Sequence, residues 1–237
     1  MKTSPPVSPD YLVTIDGIRE VSLVGSADAA FWRERLGKEG LFPYPGGEKV
    51  EITIGAAAIR WKGIDSLEFT LAVAVSDQEE SVKKDYFLLI AFNSSPFFAW
   101  IERTIFLSPF FQSGIRLVER IPVSFGVNKN KTWFISGQMS AQGRPGSTVD
   151  ETWKGTYYLP GDLILGIRRR FSARIEGRTM IYPFLNGLDN LWINPTSHRK
   201  VFNWLLESHF SPQEWKIRQD ALHARSVTQQ SWKKKNL

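Results

Sequence analysis

Residues 66–75 read SLEFTLAVAV, a nearly continuous apolar run in which Glu68 is the single charged residue. β-Branched and aromatic side chains in a run of this length favour a buried strand. A carboxylate in such a strand either faces water or points inward, where burial would raise its pKa and suit it to general acid or base catalysis. Because Glu is seldom buried without a partner, the residue pattern alone favours the exposed orientation.

Other strand candidates lie on both sides of this run, with Gly, Pro, Asn and Asp between them. Together with it, they span residues 49–62, 67–76, 86–92, 115–127, 133–141, 153–159 and 171–182. Short strands separated by turn residues are typical of an antiparallel barrel or sandwich. The sequence therefore predicts a mainly β fold with a few helices, in the α+β class.

The N-terminal part of the chain carries turn and helix signals. Asp16-Gly17 is a turn dipeptide and predicts that residues 11–24 form a short hairpin or two edge strands. The hydroxyl of Ser26 can cap a helix, with Gly37 past its end. We therefore expect the first helix to begin just after Ser26.

Three more helices are predicted from caps and periodicity. Ser95 followed by Pro96 predicts a helix inserted between two strands. Residues 196–209 carry an apolar face suited to closing one end of a barrel. The SPQE sequence that begins at Ser211 is a capping box, so a last, polar helix is expected there.

A chain of 237 residues with 42% hydrophobic and 23% charged residues has the composition of one globular domain. We expect this domain to span residues 11–228. Three prolines in residues 1–10 remove backbone donors and fix φ, which predicts a flexible leader. Residues 229–237 contain a KKK sequence and are predicted to form a basic tail.

The formal net charge of +6 raises the question of a nucleic-acid partner. Much of the excess lies at residues 168–170 and 233–235, far apart and without interleaved aromatics, so no nucleic-acid binding is expected. The N-terminus has no apolar signal region, and no window reaches the ~18–20 apolar residues of a membrane span. The sequence thus predicts a cytoplasmic protein without a membrane span.

The residue inventory excludes several kinds of chemistry. The chain has no Cys, which excludes disulfides, thiol nucleophiles and Cys-based metal sites. Its three histidines, His198, His209 and His223, fall in the predicted C-terminal helices and are expected at the surface. There is no phosphate-binding glycine loop and no GxSxG motif. We therefore expect neither a metal nor a cofactor.

Two further places could hold catalytic groups. Lys154 is flanked by aromatics within a strand, which fits either a stem that extends to water or an imine-forming amine. Arg174 and Glu176 share one face of their strand, so they belong either to a solvated row of charges or to the polar wall of a cavity. The solvated alternative is the commoner arrangement in both cases.

Four segments together resemble the acetoacetate decarboxylase-like superfamily. They are residues 23–32 (LVGSADAAFW), 40–43 (GLFP), 64–75 (IDSLEFTLAVAV) and 106–111 (FLSPFF). The resemblance implies a closed, antiparallel, conical β-barrel with a central apolar cavity and peripheral helices. It also implies a small-molecule substrate and assembly into a homo-oligomer.

In the decarboxylases of this superfamily, a lysine after the proline of that last turn forms a Schiff base with a β-keto acid, and a carboxylate on a nearby strand assists. Glu68 matches the carboxylate, which favours its inward orientation. After the proline this chain has Phe110, Phe111 and Gln112, so the imine-forming lysine is missing from its expected place. Three outcomes remain: catalysis by acid–base and hydrogen-bonding groups, a relocated lysine such as Lys154, or a barrel that only binds.

We therefore predict a lyase or cyclase that acts on a carbonyl-bearing small molecule of secondary metabolism by decarboxylation, aldol-type condensation or cyclisation. An aromatic β-keto acid would suit the aromatic content. The candidate catalytic residues are Glu68 as acid or base, Gln112 and Arg116 as groups that position an oxygen, and Lys154. The candidate substrate-binding residues are Phe97, Phe98, Phe110, Phe111, Trp133, Tyr157, Arg174 and Glu176. The alternative is a non-catalytic barrel that carries an apolar ligand.

Overall fold

The computed structural model describes residues 10–79, 81–162 and 167–232, which fold mainly into strands. The strands are β1 (Val13–Asp28), β2 (Phe42–Pro43), β3 (Lys49–Trp61), β4 (Ile64–Ser76), β5 (Asp85–Asn93), β6 (Phe110–Gln112), β7 (Gly114–Val118), β8 (Ser124–Lys129), β9 (Thr132–Gln138), β10 (Ser147–Asp162), β11 (Ile167–Pro183), β12 (Asn190–Ile193), β13 (Ser211–Arg225) and β14 (Gln229–Trp232). The helices are α1 (Ala29–Gly37), α2 (Pro96–Thr104) and α3 (Lys200–Glu207). The prediction of a mainly β fold is confirmed.

Seven strands of the larger sheet close into a ring in the order β4–β3–β1–β13–β11–β10–β5, with β5 pairing back to β4. The contacts are antiparallel except that of β10 with β5, which is parallel. The predicted all-antiparallel closure is therefore wrong at this one junction. The reason is that the chain between β5 and β10 passes through α2 and a second sheet before it re-enters the ring in the same direction.

The second sheet is antiparallel, in the order β12–β9–β8–β7, and packs against the outer face of the ring. Residues of β4 alternate between the two sides: Phe69 enters the core between the sheets, while Glu68 and Thr70 face the ring interior. The ring centroid of Phe69 lies 6.0 Å from that of Phe125 in β8 and 6.5 Å from that of Phe202 in α3. The largest hydrophobic cluster therefore lies outside the ring, and the side chains that face the ring interior line a cavity.

Three of the four predicted helices are present, namely α1, α2 and α3, although α1 begins later than predicted. α2 begins where Ser95 was expected to cap it, and Ser95 Oγ accepts a hydrogen bond from the backbone N–H of Phe98 at 3.5 Å. α3 lies within the predicted residues 196–209 and buries Phe202 and Leu205 in the core. Within the described ranges, no helix has both the length and the apolar character needed to cross a membrane.

The predicted hairpin at residues 11–24 and the predicted helix start after Ser26 are wrong. β1 runs through both positions as one strand, paired with β13 and β3. Gly17 has a φ of +64°, but the chain does not reverse there. The position coincides with a shift in the β1–β13 register, and the strand continues beyond it. Ser26 stays paired within β1, and α1 begins at Ala29.

The predicted helix from Ser211 is also wrong, because this segment is β13. Both edges of the strand are hydrogen-bonded, one to β1 and the other to β11, and this tertiary pairing outweighs the local capping signal. The side chains alternate as in any strand. Trp215 and Ile217 are buried in the core, whereas Lys216 and Arg218 face the ring interior.

Two smaller predictions also need correction. The strand predicted at residues 115–127 is two strands, β7 and β8, because Pro122 lies in the turn between them. Residues 229–232, assigned to the basic tail, form β14 and pair with β11. Residues 1–9 and 233–237, which hold most of the predicted leader and tail, lie outside the described residues. The single domain stays a prediction.

The buried carboxylate of Asp189 joins the ring to the loops beside the second sheet. It accepts two hydrogen bonds from Arg144, one of them 2.6 Å long, and one of 3.0 Å from Trp215 Nε1 on β13. The backbone N–H groups of Ser140 and Leu185 also donate to it. Burial would raise the pKa of this carboxyl, but these donors, Arg144 foremost, hold it well below its usual range.

The substitution Asp189→Asn should lower the free energy of unfolding by about 3–5 kcal/mol, because Arg144 would keep a buried charge without its counterion. Urea unfolding measures this change. The control is Asp65→Asn: its ion pair with Arg60 is exposed and 3.7 Å long, so less than about 1 kcal/mol should be lost. Equal losses in the two variants would contradict the role assigned to Asp189.

Candidate active site inside the ring

The ring encloses a cavity of about 580 Å³, a size typical of sites for small organic molecules. All seven ring strands and α2 contribute to its wall. Most of the charged side chains come from β13, β1, β3 and β4, which are neighbours in the ring. The opposite side is formed by β5, β10 and β11. The aromatic side chains that these strands turn toward the cavity are called the aromatic wall: Tyr86, Trp153, Tyr157 and Phe171.

A row of cavity residues crosses five neighbouring strands in register. Glu20 of β1 pairs with Ala57 of β3, and Ala57 pairs with Glu68 of β4. The row extends to Arg218 of β13 at one end and to Asn93 of β5 at the other, and we call these five residues the cross-strand row. Because neighbouring strands lie ~4.8 Å apart, the Cα atoms of Glu20 and Glu68 are about 10 Å apart, with only a methyl group between them.

Glu68 faces the cavity from β4, and its carboxyl group has no hydrogen bond to another described residue. Burial, with a smaller contribution from the nearby Glu102, raises the pKa of Glu68 to about 8, although Arg225 partly opposes the rise. At neutral pH the carboxyl group is therefore mostly protonated. It is in the state that a general acid requires.

Glu20 is in the opposite state. It accepts hydrogen bonds from Ser22 Oγ at 2.8 Å, from Arg218 Nη1 at 3.2 Å and from His223 Nε2 at 3.0 Å. Burial would raise its pKa, but the bond from His223 and the charge of Arg218 hold the pKa well below its usual range. One row thus presents a protonated and an ionised carboxyl group, and such a difference separates acid from base roles in enzymes.

Arg218 connects the cross-strand row to β11 and β10. Its Nε donates to Thr179 Oγ1 at 2.8 Å, and its Nη2 donates to Glu151. Lys216 donates to the other carboxylate oxygen of Glu151 at 2.8 Å. All three guanidinium nitrogens are therefore engaged, and this fixes the orientation of the Glu20 carboxylate.

Arg225 connects β13 to α2 at the cavity. Its Nη1 donates to Glu102, and its guanidinium carbon lies 4.1 Å from the ring centroid of Phe171 and 4.4 Å from that of Phe106. A guanidinium between two aromatic faces is stabilised by cation–π attraction. Since Phe98 of α2 also lines the cavity, this helix is part of the site.

The aromatic wall is a stack of parallel rings. Tyr157 lies between Tyr86 and Phe171, with ring centroids 5.6 and 5.3 Å away, and Trp153 packs edge-on against both tyrosines. Burial raises the pKa of both tyrosine hydroxyls, which therefore stay neutral. The wall offers a flat apolar surface of the kind that planar ligands recognise.

Solved structures match the chain over nearly its whole length. An acetoacetate decarboxylase superposes with a TM-score of 0.63 at 12% identity, covering 100% of this chain and 97% of that one. The acetoacetate decarboxylase of Legionella pneumophila subsp. pneumophila str. Philadelphia 1 gives 0.64 at 12% identity, covering 98% and 92%. The chain has the acetoacetate decarboxylase-like fold.

The same fold occurs in the enduracididine biosynthesis enzyme MppR, solved in complex with the condensation product of pyruvate and imidazole 4-carboxaldehyde. Its TM-score is 0.59 at 8% identity, covering 92% of this chain and 88% of that one. No protein-family model and no curated protein matches the chain. At these identities the structural likeness establishes the acetoacetate decarboxylase-like fold and nothing finer.

Four of the residues predicted for the site line the cavity of this acetoacetate decarboxylase-like fold. They are Glu68, Phe98, Phe110 and Tyr157. Eight others are not part of the cavity wall: Phe97, Phe111, Gln112, Arg116, Trp133, Lys154, Arg174 and Glu176. A ligand inside the ring would have no direct contact with this second group.

Strand alternation explains several of these positions. Lys154 follows the cavity residue Trp153 and is exposed on the other face of β10. Arg174 and Glu176 pair with each other on the outer face of β11, at 2.8 Å from Nε to Oε2. Lys154, Arg174 and Glu176 therefore lie on the outer faces of their strands, the alternative in which these side chains face solvent and not the cavity.

The sequence analysis missed most of the charged cavity residues. Those missed include Glu20, Glu102, Arg218, His223 and Arg225. Most lie on β1 and β13, which were predicted as a hairpin and a helix, so their strand faces were not recognised. The available signal was the alternation of apolar and basic residues at 215–218, which read WKIR.

The raised pKa of Glu68 makes stability depend on pH. The folded state keeps a proton that the unfolded state releases above pH about 4.5, so the free energy of unfolding should fall between pH 4.5 and 8 and then level off. Glu68→Gln should remove up to about 3 kcal/mol of this decline between pH 5.5 and 8.5, as measured by urea unfolding. The exposed control Glu34→Gln should keep the decline. Identical pH profiles for the two variants would mean that Glu68 titrates normally.

Proposed function

We propose that this protein is a small-molecule enzyme of the lyase or cyclase type that acts on a carbonyl compound inside the ring. The observation that carries the proposal is the pair of carboxyl groups in the cross-strand row, protonated Glu68 and ionised Glu20, which face the same cavity. Protein groups that only bind an apolar ligand have no need of two such opposed protonation states.

Glu68 is the proposed general acid. When a C–C or C–H bond beside a carbonyl group breaks, negative charge develops on the carbonyl oxygen. A protonated carboxyl group next to that oxygen can donate a proton or a hydrogen bond to it and so stabilise the transition state. The low polarity that raises the pKa of Glu68 also strengthens this interaction.

The aromatic wall supports a substrate with a flat, conjugated part. Tyr86, Tyr157 and Phe171 present stacked rings on the side of the cavity opposite Glu20 and Glu68. The neighbour MppR holds a product condensed from pyruvate and an aromatic aldehyde, which is chemistry of the same class. We propose an aromatic keto acid or its condensation product as substrate, within a biosynthetic route.

The proposed mechanism uses no imine. Among the residues that the structure describes, two lysines reach the cavity, Lys84 and Lys216, and each donates to a carboxylate, Glu51 and Glu151 respectively. An imine-forming lysine must be neutral and free to attack a carbonyl carbon, which such ion pairs oppose. Cofactor-free and metal-free catalysis, a cytoplasmic location and a homo-oligomeric assembly stay predictions from the sequence.

The second candidate function is a non-catalytic carrier of an apolar ligand. The aromatic wall favours it, because stacked rings bind planar molecules without chemistry. In that case the charged groups would serve only to keep the ring folded. Binding of a planar ligand without turnover is the outcome that would identify a carrier.

Incubation with pyruvate, phenylpyruvate, acetoacetate and benzoylacetate, each alone and with benzaldehyde, tests the function. ¹H NMR in D₂O should reveal decarboxylation, condensation or hydrogen exchange above the rate without protein. For a substrate so found, Glu68→Gln should lower kcat about 10²–10⁴-fold, and the wild-type rate should fall as pH rises through about 8, because the acid must be protonated.

Glu176→Gln is the matched control, because this carboxylate lies on the outer face of β11, and it should keep wild-type turnover. Full activity of Glu68→Gln would refute the acid role. Borohydride treatment in the presence of substrate, followed by intact-mass measurement, checks the imine: a trapped adduct on Lys84 or Lys216 would replace the proposed mechanism.

The position of the reaction can be tested by filling the gap in the cross-strand row. Ala57→Leu would place a branched side chain between Glu20 and Glu68, and turnover should be lost while the melting temperature changes little, because the cavity has room for the added atoms. Ala58→Leu adds the same volume on the other face of β3 and should keep turnover. Equal activity of both variants would place the chemistry elsewhere.

A further inference from the structure

His223 is the histidine that lines the cavity, and the mechanism above does not use it. It lies on β13 between Ile15 of β1 and Ile175 of β11, and both neighbours also line the cavity. Its imidazole is partly accessible, with 28% of the side-chain surface exposed. The imidazole of His223 can therefore contact a molecule that occupies the cavity.

Glu20 fixes one nitrogen of this imidazole. Glu20 Oε2 lies 3.0 Å from His223 Nε2, and the carboxylate is itself held by Ser22 and Arg218. A carboxylate can only accept, so Nε2 must carry the proton and Nδ1 must have a free lone pair when the ring is neutral. Across residues 10–79, 81–162 and 167–232, no group donates to Nδ1.

We propose that Glu20 and His223 act as a carboxylate–imidazole pair in which His223 Nδ1 removes a proton from the carbon next to the substrate carbonyl. This inference rests on the proposed function and narrows it. His223 is the catalytic base, and Glu20 is a positioning residue that sets the tautomer and the orientation of the ring. Glu68 is the acid on the other side of Ala57.

The step balances as an enolisation. The C–H bond beside the carbonyl breaks, its proton goes to Nδ1 of His223, and its electron pair forms the C=C bond. The carbonyl π pair takes the proton of Glu68, which gives a neutral enol, an imidazolium and a carboxylate. Return of the two protons restores both residues, so the step needs no other reactant.

The geometry suits this step because His223 and Glu68 line the same cavity and Glu20 links the imidazole to the cross-strand row. Glu20, which accepts the hydrogen bond from His223, lies two strands from Glu68 in the cross-strand row. Their Cα atoms are about 10 Å apart, with only the methyl group of Ala57 between them. The pKa of about 8 for Glu68 keeps it protonated, and the lowered pKa of Glu20 keeps it an acceptor.

An enol is the nucleophile of aldol-type condensation and cyclisation. Decarboxylation of a β-keto acid, in contrast, starts by loss of CO₂ and needs no base at carbon. The pair of Glu20 and His223 therefore favours condensation or cyclisation over decarboxylation as the reaction of this cavity.

The tautomer can be tested without any substrate. In ¹⁵N-labelled protein, long-range ¹H–¹⁵N correlation spectra resolve the two nitrogens of the three histidines, and His223→Gln assigns the signals of His223. The neutral ring should carry its proton on Nε2, and Glu20→Gln should weaken that preference. A proton on Nδ1 in the wild-type protein would overturn the proposal, whatever the substrate proves to be.

Chemical rescue tests the base with pyruvate and phenylpyruvate in D₂O, followed by loss of the α-hydrogen signals. His223→Ala should stop exchange, and added imidazole should restore part of it, whereas imidazole should not help His223→Gln, whose side chain fills the space. Unchanged exchange in His223→Ala, or a loss that imidazole does not restore in a variant with the wild-type melting temperature, would overturn the proposal. If the wild-type protein exchanged no α-hydrogens, the result would count against the proposed function. The NMR measurement of the His223 tautomer would still test the proposed pair of Glu20 and His223.

Discussion

The closure of the ring between β5 and β10 is the constraint on which the cavity depends. Backbone pairing there covers two residue pairs, one of them Tyr157 with Tyr86. Side chains reinforce it: buried Asp85 accepts a hydrogen bond of 2.7 Å from the backbone N–H of Thr156, and Trp153 Nε1 donates to a backbone carbonyl beside β5 at 3.1 Å. The same rings that form the aromatic wall therefore hold the two strands together. Without this junction the sheet would be open, and the cavity would not be enclosed.

Enclosure in turn sets the chemistry of the cross-strand row. Glu68 and Glu20 are the same residue type on strands separated by one neighbour, yet their protonation states are opposite. Three donors surround Glu20, whereas no described residue donates to Glu68. In water this difference would largely vanish, because solvent would satisfy both carboxylates. The proposed role of Glu68 as acid, and that of Glu20 as the acceptor that positions His223, thus follow from the arrangement of donors inside the ring.

The sequence predicted the mainly β fold, the inward position considered for Glu68, and the helices α1, α2 and α3 apart from the start of α1, because local patterns determine these features. It failed for β1 and β13, where a turn dipeptide and a capping box carry local signals that pairing with two neighbouring strands overrides. Arg218 and His223 of β13 were not recognised as cavity residues, because this segment was predicted as a helix and its strand alternation was not considered. The cross-strand row could not be predicted, because it depends on the register of five strands that are distant in sequence.

The junction of β5 and β10 also bears on how a bound molecule is retained. Tyr86 and Tyr157 belong to different strands, so a flat molecule that rests on both rings touches both sides of the junction. The free energy of that contact adds to the free energy that holds the strands together, and local separation becomes rarer while the molecule is bound. Ligand binding and closure of the junction between β5 and β10 are in this way thermodynamically linked. When the molecule leaves, local separation of the two strands becomes more frequent again.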